Sequence, residues 1–319
     1  MCSSDPALEK IIAGADVFIE GFRPGVIDRL GLGYERVKTL SPGIIYVSIS
    51  GYGQTGPLAH KPAMDPILQA YTGFMAANAD GSGTPMRAQP IIVDMTTALY
   101  AYQAVAASLF AKRDDPTSRY LDISLMAAAA NLQVVRFMST LQEGAEPPPG
   151  STPSGVYRTK DGFTHILILK ERDWLSFCDA LDLKDFKANK DYRDNRKRAA
   201  DQDKINARIE PVLLSKSSAE WSELFTALGL MNTPVLDYMQ FAAEPQAIAT
   251  NLITNLPQPG YPAAPTMLNI PGHPPLKPGT DKATAPVLGR DTREILAGSG
   301  IQAEEIETLI KSGIAIAAD

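Results

Sequence analysis

The sequence predicts an α/β protein whose first half is built on a parallel β-sheet. The segment Ile44–Ser50 is almost continuously apolar, which is typical of a parallel strand buried on both faces. Shorter strand-like segments lie at 15–20 and 119–124, and helix-like segments separate the three. Because parallel strands need long connections, which are usually helical, this alternation favours a parallel sheet.

Capping residues and apolar periodicity locate the helices of this half. Asp5-Pro6 is a typical helix start, and Gly14 is a typical helix end. The segment 91–94 is predicted as a short apolar strand that leads directly into a long helix. That helix is apolar nearly all round, so we expect it to be buried. The predicted helices cover about 5–13, 24–31, 34–40, 65–77, 96–113 and 126–141.

A Pro-rich segment over 146–153 predicts a stiff linker and a domain boundary. Beyond it, two strand-like runs flank Lys160-Asp161-Gly162, which is typical of a hairpin turn. Helical stretches follow through about Phe241, and a segment over about 256–285 is rich in Pro and Gly and predicted to be extended. Two further helices are predicted over 290–314. The sequence therefore predicts a second, smaller α+β part.

Composition excludes several classes of protein. The 30 Lys and Arg against 36 Asp and Glu give a formal net charge of −6, so a general nucleic-acid binder is excluded, although a local basic pocket is not. Two cysteines, Cys2 and Cys178, predict no disulfide framework and a reducing, cytoplasmic location. Three histidines, without a Cys/His pair at zinc spacing, predict no metal centre. No uncharged apolar run reaches about 18 residues, so we expect no membrane span.

Asp94 is the first candidate for chemistry, because it lies between an apolar segment and a long helix. One interpretation is an N-cap, whose carboxylate accepts hydrogen bonds from backbone N–H groups. The other uses the same position: free N–H groups at a helix N-terminus keep a carboxylate ionised, and an ionised carboxylate can attack an activated acyl group. Both interpretations are open on the residues alone.

Arg23 and Arg29 flank a Pro-Gly turn after a predicted strand. They are either solvated or form an anion site, since guanidinium groups match phosphate geometry. The glycines of the segment 51–57 either make turns or admit a ligand close to the backbone, at the strand end where open α/β sheets bind ligands. A cluster of basic residues over 187–198 is interpreted as a solvated helix face.

Two long segments carry a resemblance to a known family. Residues 15–34 (ADVFIEGFRPGVIDRLGLGY) and 44–57 (IIYVSISGYGQTGP), together with Asp94 and its helix, resemble the class III (CaiB/BaiF) CoA-transferase family. Shorter matching stretches lie at 120–125, 153–157, 161–162 and 286–289, so the resemblance covers essentially the whole chain.

The resemblance implies a fold and a division into domains. It implies a Rossmann-like large domain for CoA binding and catalysis over 1–146 and a small domain over 151–245. The segment 246–319 is expected to be extended and then to return to the large domain, where its helices pack. Relatives begin with about 70 to 80 further residues, which hold the first βαβ unit of the sheet, so we expect a shortened sheet with an uncovered edge. An interlocked homodimer is also expected.

The resemblance further implies a mechanism for the transfer of CoA from an acyl-CoA to a small carboxylic acid. Asp94 matches the aspartate that attacks the donor thioester to give an anhydride and then an aspartyl-CoA thioester. No tightly bound cofactor is expected, because CoA and acyl-CoA are substrates. Arg29 is the expected phosphate partner. The positions matching the CoA site are Gly21, Phe22, Arg23 and Arg29, and those near the thioester are Ala63, Met64 and Asp65.

Two alternatives accompany this interpretation. Related racemases pair the aspartate with a histidine just before the residue that matches Asp65, and this chain has Met64 there, which cannot move a proton. A 2-methylacyl-CoA racemase or epimerase is therefore the less favoured enzyme. The other alternative is a shortened homologue with little catalytic activity.

Overall fold

The computed structural model of the chain describes residues 5–144 and 150–318, which form two compact units. The first unit contains the described residues up to Gln142 and those from Pro286 onward, and the second is Glu143–Ala285. Within the segment 246–319, residues up to Ala285 belong to the second unit, and those from Pro286 onward belong to the first.

A three-stranded parallel sheet carries the first unit. Its strands are β1 (Val17–Glu20), β2 (Ile45–Ser50) and β3 (Arg119–Ser124), in the order β1-β2-β3. Both pairs are parallel, and the predicted α/β class with a parallel sheet is confirmed. β2 is central and almost completely buried, as its unbroken apolar sequence predicts.

Among the described residues, eight helices precede the linker. The single helix predicted over 65–77 is two, because Gly73 adopts φ +82° between them. The helix predicted over 126–141 is also two, which meet at Gln133. The helices are α1 (Asp5–Ala13), α2 (Val26–Arg29), α3 (Tyr34–Leu40), α4 (Asp65–Tyr71), α5 (Phe74–Ala77), α6 (Ile92–Ala111), α7 (Leu125–Leu132) and α8 (Val134–Glu143).

Two expectations about α6 are wrong. There is no strand at 91–94, because the helix begins at Ile92 and takes in the whole apolar run. The helix is also not buried all round: in this single chain Leu99 is 66% exposed, and Tyr102 and Phe110 are each 69% exposed. An apolar sequence shows that a surface is suited to burial, but the chain itself covers only one side of this helix. None of the helices in the described ranges is long and apolar enough to cross a lipid bilayer.

Two apolar clusters hold the helices of the first unit, one against the sheet and one against the loop that follows β2. In the first, Tyr46 of β2 packs with Ile12 of α1 and Val37 of α3. In the second, Tyr52 of the loop after β2 packs with Val93 of α6 and with residues of α4 and α7. The second cluster places the N-terminal end of α6 at the carboxyl edge of the sheet, where parallel α/β proteins hold their ligands.

The second unit combines a small antiparallel sheet with helices. Strands β4 (Ser154–Arg158) and β5 (Phe163–Leu167) form the predicted hairpin, and β6 (Met231–Pro234) adds a third strand in a segment predicted to be helical. β7 (Ile253–Asn255) and β8 (Thr266–Leu268) pair within the segment predicted to be extended. The helices are α9 (Glu171–Ala180), α10 (Lys184–Ala188), α11 (Asn195–Ala200), α12 (Gln202–Leu213), α13 (Ser218–Ala227), α14 (Tyr238–Ala243) and α15 (Pro245–Ala249).

Two final helices belong to the first unit. They are α16 (Thr292–Gly298) and α17 (Ala303–Lys311), close to the two predicted there. Leu296, Ile306 and Leu309 of these helices pack with Ala7 of α1.

A fully buried guanidinium group lies in the core of the second unit. Arg198 donates hydrogen bonds to the carbonyl oxygens of Thr152 (2.6 Å) and Tyr192 (2.7 Å) and to Oδ1 of Asn195 (3.0 Å). Its guanidinium carbon lies 5.2 Å from the ring centroid of Trp174. The interpretation of 187–198 as a solvated face is therefore wrong for Arg198, whose charge is satisfied by backbone oxygens rather than by a carboxylate.

We expect Arg198→Met to lower the free energy of unfolding of the second unit by about 3 kcal/mol, because several buried acceptors lose their donor. Both tryptophans lie in this core, so their fluorescence during urea denaturation reports on this unit. Arg196→Met makes the same change at an exposed side chain two residues earlier and should alter stability by no more than about 0.5 kcal/mol. Equal midpoints for the two variants would contradict the prediction.

Candidate active site

Asp94 is the third residue of α6 and lies in its first turn. The N-cap position is occupied by Ile91, which has no side-chain oxygen, so the interpretation of Asp94 as N-cap is wrong. The cap comes from elsewhere in the sequence: Oδ2 of Asp65 accepts hydrogen bonds from the backbone N–H groups of Val93 (2.7 Å) and Asp94 (3.3 Å). The side chain of Asp94 is thereby left free of capping.

The capping carboxylate of Asp65 is itself held in place. Asp65 is 2% exposed and Gln69 is fully buried, and Nε2 of Gln69 donates to Oδ1 of Asp65 at 2.6 Å. Gln69 also exchanges two hydrogen bonds with the backbone of Ala88, which lies just before α6. Both oxygens of Asp65 therefore have fixed partners, and α4 and α6 are locked together at their N-terminal ends.

The electrostatics of Asp94 differ from those expected for a carboxylate at a helix N-terminus. The pKa of Asp94 is raised from its ordinary value of 3.8, first by partial burial of the carboxyl and then by the negative charge of Asp65. The residue as a whole is exposed, so its carboxyl group remains accessible. The expected stabilisation of its ionised form is absent because Asp65 takes the N–H groups that would supply it.

The glycines of the loop after β2 allow one close contact and two turns of the backbone. A Cβ atom on Gly51 would lie 2.5 Å from Cβ of Ala63, so only glycine allows this approach. Gly53 adopts φ +100° and Gly56 φ +93°, which are left-handed conformations that favour glycine. The loop is fixed to α7 by a hydrogen bond from the N–H of Met126 to the carbonyl of Gly51 (3.0 Å). The interpretation of these glycines as turn residues is thus supported.

The turn after β1 and the short helix α2 that follows it present one basic side chain each. Arg23 and Arg29 are exposed, and no hydrogen bond or ion pair joins either side chain to another residue in 5–144 or 150–318. Phe22 is 48% exposed beside them, and its N–H is held by Oε2 of Glu20 at 2.8 Å. Gly25 makes the turn with φ +78°. Two unpaired guanidinium groups, one on this turn and one at the end of the short helix α2 that follows it, suit an anionic ligand.

The structure brings some of the predicted site residues together and not others. Ala63 packs in the cluster that contains Val93, and Asp65 binds the backbone of Asp94, so these belong to one site. Met64, the residue before α4, is 71% exposed. Gly21, Phe22, Arg23 and Arg29 lie after the end of β1, the strand next to β2, and no hydrogen bond or ion pair among the described residues joins them directly to Asp94.

A model of CoA-transferase family III matches residues 3–292 of the sequence. This chain belongs to CoA-transferase family III. The resemblance noted from the sequence is therefore confirmed.

Three relatives with names of CoA transferases match most of the chain. An acyl-CoA transferase of Fusarium pseudograminearum is 31% identical over 314 residues, which are 95% of this chain and 68% of the relative. The acetyl-CoA:oxalate CoA-transferase of Acetobacter aceti is 29% identical over 280 residues, or 86% of this chain and 72% of the relative. The human succinyl-CoA:glutarate CoA-transferase is 28% identical over 302 residues, which are 91% of this chain and 67% of the relative.

Solved structures of the family share the fold. A CaiB/BaiF family protein from Brucella suis superposes with a TM-score of 0.79 at 22% identity, covering 92% of this chain and 78% of that one. Rv3272 from Mycobacterium tuberculosis gives a TM-score of 0.76 at 24% identity, covering 86% of this chain and 73% of that one.

Sequence reasoning missed the residues that support the site in this family member. Gln69 lies four residues after Asp65 on α4, and that spacing on a helix signals a side-chain pair. Glu20 and Ser48 gave no such local signal, because they meet only through the pairing of strands that are distant in sequence, and Gln54 reaches Ser48 only through the course of the loop after β2.

We expect Asp65→Asn to lower the pKa of Asp94, because the substitution removes a negative charge, while partial burial still holds that pKa above 3.8. Titration of carboxyl-labelled aspartate by NMR measures the shift directly. Asp114→Asn, just beyond the other end of α6, is the matched control and should leave the pKa of Asp94 unchanged. A wild-type pKa of Asp94 at or below 3.8 would refute this account.

Proposed function

We propose that this chain transfers CoA from an acyl-CoA thioester to a carboxylic acid, with Asp94 as the nucleophile. The carboxyl group of Asp94 carries the proposal, because it is exposed at the start of α6 and no hydrogen bond or ion pair engages it among the described residues. A free carboxylate with a raised pKa is suited to nucleophilic attack on an activated acyl carbon.

The proposed reaction proceeds by exchange between carboxyl derivatives. The Asp94 carboxylate attacks the thioester carbonyl, the C–S bond breaks, and CoA leaves as a thiolate from an acyl-aspartyl anhydride. The thiolate then attacks the aspartyl carbonyl, which releases the donor acid and forms an aspartyl-CoA thioester. The acceptor carboxylate attacks that thioester to give a second anhydride, and the released thiolate takes the acceptor acyl group. Each step keeps a single negative charge among the reacting groups. The last step releases the carboxylate of Asp94 again.

The turn after β1 is the proposed site for the anionic part of CoA. Arg23 and Arg29 supply exposed guanidinium groups without partners among the described residues, with Arg29 the proposed phosphate ligand. Gly21 leaves the backbone open on one side, since a Cβ atom at this position would meet no other atom within 4 Å, and the exposed ring of Phe22 offers an apolar face. Ala63, Met64 and Asp65 are the proposed neighbours of the thioester.

A racemase is less well supported than a transferase. Moving an α-proton needs a second acid–base group opposite the aspartate, and the thioether of Met64 has no titratable proton. The relatives named above are transferases, and the substrates in their names are those of the relatives alone. The two cysteines of the sequence continue to favour a cytoplasmic location.

We expect Asp94→Asn to lower the rate of CoA transfer by at least about a thousandfold, because an amide cannot form the anhydride. The wild-type chain, incubated with an acyl-CoA and then hydroxylamine, should carry a hydroxamate on Asp94. Asp114→Asn is the control and should keep wild-type activity. Equal rates for wild type and Asp94→Asn would reject the mechanism, and a wild-type chain without activity toward any donor would favour the shortened homologue.

We also propose that the chain forms a homodimer. Leu99, Tyr102 and Phe110 of α6 and Val135 of α8 are large apolar side chains that the single chain leaves more than half exposed. Exposed apolar side chains in such numbers are typical of surfaces that another protein covers.

Light scattering should give the wild-type protein twice the 34.3 kDa mass of one chain. Leu99→Asp should shift that mass toward the monomer, because a charge would be buried in an apolar interface. Leu99→Met conserves volume and should remain dimeric. A monomeric wild type would contradict the proposal.

A further inference from the structure

A line of hydrogen bonds crosses the carboxyl edge of the parallel sheet from β3 to the turn after β1. Oδ2 of Asp122 accepts from the backbone N–H of Gln54 (3.1 Å), and Nε2 of Gln54 donates to Oγ of Ser48 (2.6 Å). The Ser48 hydroxyl donates to Oε1 of Glu20, and Oε2 of Glu20 accepts from the N–H of Phe22 (2.8 Å). The loop after β2 is thereby connected to the turn after β1.

The strand register explains why these groups meet. Glu20, Ser48 and Asp122 occupy the same register position on the three strands, so their side chains project from the same face of the sheet. Glu20 is 5% exposed and Ser48 is 1% exposed, and no Lys or Arg pairs with Glu20 among the described residues. The buried carboxylate therefore depends on Ser48 and Phe22 as donors, and hydrogen bonds to a buried charge are strong.

Both ends of this line reach segments with proposed roles in the reaction. At one end, the bond from Phe22 to Glu20 fixes the turn that carries Arg23. At the other, Gln54 follows Gly51 and Tyr52, which pack against Ala63 and Val93 beside Asp94. Gln54 is the link, because its backbone and its side chain both take part.

We propose that Gln54 and Glu20 are positioning residues, which act through Ser48 to hold the turn after β1 and the loop after β2 in one arrangement. This inference rests on the proposed CoA-transferase function. In that reaction, the energy gained by binding the phosphates of CoA at the turn is used to place the thioester at Asp94. Binding energy from a remote part of a substrate raises the rate only if the intervening structure is held in position.

The kinetic test compares two donors that carry the same acyl group. One is the CoA thioester, and the other is the N-acetylcysteamine thioester, which lacks the phosphates and nucleotide. For Gln54→Ala, we expect kcat with the CoA thioester to fall by about 10- to 100-fold, with the Kd for CoA within about twofold of wild type. The rate with the short thioester should not change. Gln302→Ala removes the same side chain at an exposed helix start, where it makes no side-chain hydrogen bond to the described residues, and should match wild type with both donors.

A merely structural role for Gln54 would lower the rates with both donors by the same factor, and that outcome would overturn the proposal. Glu20→Gln, which keeps the size of the side chain but removes its charge, should show the same selective loss with the CoA thioester. Unchanged kinetics in both variants would also overturn it.

Hydrogen exchange tests the coupling without turnover. Gln54→Ala should speed the exchange of backbone amides over 21–25, although the hydrogen bonds that Gln54 makes are to Ser48 and Asp122. Gln302→Ala should leave the exchange over 21–25 unchanged. Unchanged exchange over 21–25 would overturn the coupling even if the wild-type enzyme is active. A wild-type chain that transfers no CoA would instead reject the proposed function, and the exchange result would still decide whether turn and loop are coupled.

Discussion

The carboxylate of Asp65 is the contact on which the candidate site depends. Helices begin with backbone N–H groups that lack partners inside the helix, and a buried start requires an acceptor from outside. Asp65 supplies it to Val93 and Asp94, and Gln69 holds the acceptor in place from the other side. Because this demand is met from a neighbouring helix, the side chain of Asp94 is released from a structural task and is free for chemistry.

The position of the site follows from the parallel sheet. All three strands end at the same edge, so the segments that follow them meet there in spite of their distance in the sequence. Close approach at this edge depends on Gly51, since any larger residue would collide with Ala63. The packing of Tyr52 against Val93 then brings α6 to the same place. The edge thus gathers a basic turn, a glycine loop and a free carboxylate.

The sequence predicted those features that local physics determines. The apolar run of β2 and the hairpin turn at Asp161-Gly162 were visible in the residues, as were most helices of the first unit. The start of α6 was not, because its cap comes from a residue 29 positions earlier. Arg198 resembles its solvated neighbours and is buried only through tertiary packing. A local pattern indicated Asp94, and the resemblance to a family suggested its role. The hydrogen bonds from α6 to Asp65 could be seen only in the folded structure.

The negative charge of Asp65 bears both on the pKa of Asp94 and on the proposed nucleophilic role of Asp94. Partial burial raises the pKa of Asp94 first, and the negative charge of Asp65 raises it further because it disfavours a second charge nearby. In the proposed reaction, acylation of Asp94 moves its charge to the departing thiolate, and the repulsion between the two carboxylates ends. Asp65 therefore destabilises the free carboxylate relative to the anhydride, while its hydrogen bonds to the backbone keep the nucleophile in position. In the proposed reaction, the repulsion between Asp65 and Asp94 thus favours acylation of Asp94, and the same repulsion contributes to the raised pKa of Asp94.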